Sequence, residues 1–149
     1  MSRILTNRWL LATARMLLGA VFAYAGALKT LNPEGFADAI AAFQILPSPL
    51  INIFALGLPP FEVLVGLMLI FGIRPRLAVF GTLILSAVFI AALALALGRG
   101  LNVDCGCFGS GPASPGKTIT ALGRDFILLA SGCWLYWAHA RQPDRGNGV

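Results

Sequence analysis

The chain has 149 residues; 58% are hydrophobic, 11% are charged, and the net charge is +5. A soluble domain carries about a quarter charged residues, so too few charges are present here to hydrate the apolar surface, and a water-soluble globule is excluded. The basic residues stand at the ends of apolar stretches instead of forming a run with interleaved aromatics, and no Walker-type glycine loop is present. A membrane therefore explains the positive charge better than a nucleic acid does.

A spanning helix needs about 20 mostly apolar residues. Four stretches qualify, at 9–28, 50–73, 76–97 and 119–139. Arg15 interrupts the first and Glu62 the second. The fourth holds Arg124 and Asp125 near its start, where they must be paired or snorkel to the bilayer edge. Lipid cannot satisfy free backbone amides, so each stretch must be helical. Pro59-Pro60 removes backbone donors and should kink the second helix. A cleaved signal peptide competes for the first stretch, because Ala23-Tyr24-Ala25 resembles a cleavage site behind Arg3, Arg8 and Arg15.

Between the first two stretches, Asn32-Pro33-Glu34 reads as a helix N-cap, a first-turn proline and an acid near the dipole. Phe36, Ile40 and Phe43 then recur at helical spacing, as in a short amphipathic helix on the outer surface. Its plain role is a lid; its sharper role is docking of a partner or a lipid-soluble cofactor. The expected fold is all-α: one integral membrane domain, a four-transmembrane-helix bundle with this short outer helix between helices one and two.

Arg3, Arg8, Arg74, Arg76, Arg141 and Arg145 stand on one side of such a bundle; Lys29, Arg99 and Lys117 stand on the other. This asymmetry puts both termini in the cytoplasm of a bacterial inner membrane and the loop 98–118 outside.

That loop carries Cys105-Gly106-Cys107. Disulfides persist outside the cytoplasm. Bridging residues two apart, with one glycine between them, closes a small ring that Gly106 permits, and a strained disulfide exchanges readily. The competing readings are a static staple, a zinc site short of ligands, and two idle thiols. Cys133, among apolar neighbours in the fourth stretch, reads as packing.

The run Asp104-Cys105-Gly106-Cys107-Phe108-Gly109 resembles the signature of the methylamine-utilisation protein MauE family, related to DoxX-like integral membrane proteins. Arg15, Gly26-Ala27-Leu28-Lys29, Asn32-Pro33, Glu62 after Pro59-Pro60, and Arg124-Asp125 also match, so the resemblance covers residues 9–138. It implies maturation of a disulfide-rich periplasmic enzyme subunit beside a thioredoxin-like partner. The implied fold is similar to that of quinone-linked disulfide-forming membrane proteins, an analogy of fold only.

Intramembrane charges are costly and default to functional hypotheses. Glu62 stands about 11 residues, roughly 16 Å, above the inner end of its helix, and Arg15 about seven residues, roughly 10 Å, above the same face. An Arg15–Glu62 ion pair joining helices one and two is expected; a proton carrier for a bound quinone is the alternative for Glu62. Arg124 and Asp125 either contact a quinone headgroup or cap their helix. The expected activity is thiol–disulfide exchange at Cys105 and Cys107, by thiolate attack on a client disulfide. Its partners are the lipid bilayer and a periplasmic thioredoxin-like protein or disulfide-containing client, with no nucleic acid. A non-enzymatic scaffold with a structural Cys-Gly-Cys disulfide is the second reading. A transporter is the third and weaker one, since discrete inverted repeats with broken helices are missing.

Overall fold

In the computed structural model, which describes residues 8–101 and 115–140, every regular element is an α-helix. In chain order these are α1 (Arg8–Leu31), α2 (Pro33–Ala42), α3 (Ser48–Phe71), α4 (Pro75–Gly98) and α5 (Pro115–Ala140). The four long helices form a ring in the order α1, α3, α4, α5, each packed on its two neighbours. α1, α3 and α4 are long and apolar enough to cross a membrane. α5 is long enough at 26 residues, but Lys117, Arg124 and Asp125 leave it less apolar than the other three.

Small residues bring α1 and α3 into backbone contact. A Cβ added to Gly19 would stand 2.7 Å from the Gly66 carbonyl oxygen, and one added to Gly66 would stand 2.5 Å from the Ala23 nitrogen. Further along, a Cβ on Gly26 would stand 2.9 Å from the Pro59 carbonyl oxygen. Lipid removes the hydrophobic drive between helices, so close packing of small residues must supply the attraction. Pro59 and Pro60, where a kink is expected, lie inside α3, which continues as one helix through both, and Pro59 is buried against α1.

The Asn32 cap forms as expected. Its Oδ1 accepts from the Gly35 N–H at 3.1 Å, and Pro33 opens α2. α3 ends on Gly72 at φ 71, with the Ile73 N–H donating to the Met68 carbonyl at 3.0 Å. A glycine takes this left-handed cap without a Cβ penalty.

Two apolar clusters fill the ring. One joins Leu18 and Phe22 of α1 to Leu69, Val79, Leu85 and Leu135. The other joins Phe43, just after α2, to Leu93, Ala96 and Ala121. Along α4 the first cluster ends at Leu85 and the second begins at Leu93. A polar layer occupies the level between them.

Candidate functional site

Lys29 and Glu62 form the centre of that layer. The Lys29 Nζ donates to Glu62 Oε2 at 2.8 Å and to Oε1 at 3.0 Å. The two residues are only 1% and 3% exposed. Two aromatic rings flank the ammonium: Phe89 of α4 has its centroid 4.4 Å from Nζ, and Phe36 of α2 has its centroid 5.2 Å away. A ring face attracts a cation, and the attraction strengthens where water is excluded. Phe36 thus brings α2 against the ion pair.

Opposite, on α5, Arg124 donates from Nε and Nη2 to Asp125 Oδ1 at 3.1 and 3.0 Å. Of the two open fates for these residues, pairing or snorkelling, the structure shows pairing. Asp125 is 5% exposed, and its Oδ2 has no hydrogen-bond partner. A narrow crevice touches both ion pairs. Glu62, Arg124 and Asp125 line it with Ser86 and Phe89, over an apolar floor that includes Phe22 and Leu128. Every long helix contributes a side chain to this level, so the layer exists only once the ring has closed.

The expected Arg15–Glu62 pair is not formed. Glu62 is held by Lys29, and the Arg15 guanidinium lies instead against Gly72, where an added Cβ would come within 2.8 Å of Nη1. The reason is side-chain direction. Helical Cα–Cβ bonds tilt toward the helix N-terminus. On α1 this sends Arg15 away from the ring's centre and Lys29 toward it. α3 runs antiparallel, so Glu62 leans toward Lys29. Lys29 therefore belongs to the interior and not to an outer loop. The remaining basic residues still divide unequally, with Arg3, Arg8, Arg74, Arg76, Arg141 and Arg145 against Arg99 and Lys117.

Cys133 is exposed on α5, so it does not pack in the core as its apolar neighbours suggested. Cys105 and Cys107 lie outside the described residues, but both ends of their loop are anchored. Arg99 Nη1 donates to the Gln44 carbonyl at 3.1 Å, and Leu101 packs on the Phe43 cluster. On the far side Thr118 is buried in the first turns of α5. The loop therefore leaves the ring at the end that α2 covers.

The model of the family described as methylamine utilisation protein MauE matches residues 7–138, nearly the whole chain. The chain belongs to the MauE family. A curated member, the methylamine utilization protein MauE of Paracoccus denitrificans, is 31% identical over 131 residues, covering 87% of this chain and 70% of its own length. No solved structure matches. The family match takes in the buried charge layer as well as the Cys-Gly-Cys loop. In this MauE-family chain the sequence held one signal for Lys29: a basic residue two positions before the end of a long apolar helix, in the Gly26-Ala27-Leu28-Lys29 run.

Proposed function

We propose that the chain is a cell-envelope thiol–disulfide component that supports oxidation and maturation of exported proteins, with Cys105 and Cys107 as the exchanging pair. The observation that carries this reading is the Cys105-Gly106-Cys107 motif within a chain of the MauE family. The relative from Paracoccus denitrificans is named for methylamine utilisation; the partner in this reading is a periplasmic thioredoxin-like protein or a disulfide-containing client.

In the oxidising direction, a client thiolate attacks one sulfur of the Cys105–Cys107 disulfide and displaces the other as a thiolate. A second client thiolate then attacks the mixed disulfide. The client leaves with a disulfide, and the cysteine pair keeps two electrons and takes up two protons. Attack by a loop thiolate on a client disulfide is the same chemistry in reverse. Resetting the pair requires an acceptor for two electrons and two protons.

A quinone supplies that chemistry when bound, and Arg124 and Asp125 fit its headgroup by hydrogen-bond type. Arg124 is a donor suited to a quinone carbonyl. The buried Asp125 Oδ2 is an acceptor without a donor, suited to the hydroxyl of the reduced form. These residues would orient the headgroup about 15 Å along α5 from its first residue.

In this reading all four long helices cross a bacterial inner membrane, with both termini cytoplasmic and α2 on the outer surface. The Arg124–Asp125 pair lowers the cost of placing α5 in lipid. Reporter fusions at Gly109 and Val149 test the topology: the first should be active only outside the cytoplasm and the second only inside. An externally active Val149 fusion on a complete chain would overturn the redox reading as well.

Cys105→Ser or Cys107→Ser tests the exchange. The variant lacking the resolving cysteine should trap a mixed disulfide, seen as a heavier band on a non-reducing gel and lost on adding thiol. Cys133→Ser should trap nothing. If neither loop variant traps a partner and both retain function in cells, the second reading takes over: a non-enzymatic assembly factor whose Cys-Gly-Cys disulfide is a staple. The Lys29–Glu62 tie between α1 and α3 favours such a rigid scaffold role.

A further inference from the structure

Arg15 is a cation within a membrane-crossing helix, and the ring leaves it without a carboxylate. The chain has six acidic side chains: Glu34, Asp38, Glu62, Asp104, Asp125 and Asp144. Glu62 is committed to Lys29, and Asp125 to Arg124. Glu34 and Asp38 belong to α2, at the opposite end of the ring; Asp104 lies outside the described residues. Among the described residues no acid reaches Arg15, and its Nε is a buried donor with no hydrogen-bond partner.

The surroundings of Arg15 are strongly basic. Its guanidinium rests on Gly72; Arg74 follows in the turn between α3 and α4, and Arg76 in the first turn of α4. Arg74 takes the left-handed conformation at φ 45. In the sequence, Arg3 and Arg8 stand at the start of the chain and Arg141, Asp144 and Arg145 follow α5; of these only Arg8 is among the described residues. Arg15 stands about seven residues, roughly 10 Å, along α1 from its start, the depth of a lipid headgroup boundary and not of free solvent. A guanidinium at that depth recruits a planar pair of anionic oxygens, and basic pockets between helices at this boundary hold lipid phosphates.

We propose that Arg15 and Arg74 form a phosphate site for an anionic phospholipid at the Gly72 end of the bundle. The lipid supplies the counter-charge that no acid among the described residues gives Arg15, and it braces α1 against the α3–α4 turn. Gly72 is needed there twice: for its positive φ, and because a side chain would displace the Arg15 guanidinium.

Native mass spectrometry of the full chain, released from nanodiscs of equimolar phosphatidylglycerol and phosphatidylcholine, tests the site. Phosphatidylglycerol should be retained in preference. Arg15→Gln should reduce its retention roughly tenfold, the loss expected for one charge-assisted contact, and Arg15→Lys should keep most of it. Where Arg15→Gln does not fold, Arg74→Gln should show the same loss of preference. Millimolar inorganic phosphate should leave the lipid bound; its displacement would overturn the lipid assignment in favour of a free-anion site. Equal retention of both lipids, or an undiminished preference in Arg15→Gln or in the substituting Arg74→Gln, would overturn the proposal. So would a rise in anionic-lipid retention in Asp144→Asn that Arg15→Gln abolishes, since Asp144 would then be the resident partner.

Discussion

Lys29→Met is expected to destabilise the protein by about 3–5 kcal/mol, because it leaves the Glu62 carboxylate buried without its cation. Bulk water cannot solvate that charge: Glu62 is 3% exposed, and the crevice it lines with Arg124, Asp125 and Ser86 is otherwise walled by apolar residues such as Phe22, Phe89 and Leu128. Glu62→Leu should cost a similar amount by stranding the Lys29 ammonium, although Phe36 and Phe89 retain part of its stabilisation. The double variant Lys29→Met/Glu62→Leu should recover most of the loss, since replacing a buried pair by apolar residues of similar volume is often neutral. Unfolding in detergent, titrated with a denaturing surfactant, measures the cycle. Arg15→Gln provides the contrast: its effect should add to that of Glu62→Leu without coupling, because the two sites are about 15 Å apart along α3. Additive losses for Lys29 and Glu62, or coupling between Arg15 and Glu62, would show that the pair is wrongly assigned.

Gly66→Leu is expected to cost about 3 kcal/mol, at the upper end of ordinary overpacking. The first atom of the new side chain would stand 2.5 Å from the backbone nitrogen of Ala23 and 2.7 Å from the carbonyl oxygen of Gly19. Both obstacles are backbone, so no rotamer relieves the clash, and α1 must move away from α3. Moving it also lengthens the Lys29–Glu62 contact. Gly57→Ala on the same helix is the control. Nothing lies within 4 Å of its added Cβ, so it should be neutral or stabilising by up to about 1 kcal/mol through helix propensity. If both variants unfold at the same denaturant concentration as the parent, close approach of α1 and α3 does not hold the ring together.

The amino-acid sequence by itself determined the elements. Apolar stretches of spanning length marked α1, α3 and α4, because a lipid-exposed backbone has no choice but to be helical. Asn32-Pro33-Glu34 marked the start of α2, because a cap is a local contact within one turn and is written in adjacent residues. The spacing of Cys105 and Cys107 is likewise local, and the family likeness follows from it. The partners of the intramembrane charges were decided only by the tertiary structure. Depth along each helix made Arg15 and Glu62 seem matched, but depth is measured at Cα and contact is made by the side-chain tip. Antiparallel packing of α1 on α3, set by Gly19, Gly26 and Gly66, turned the tips of Lys29 and Glu62 toward each other and that of Arg15 away. The same closure carried Phe89 of α4 and Asp125 of α5 to that level and left Cys133 facing outward, since which face of a nearly uniform apolar helix turns inward depends on its neighbours and not on its own pattern.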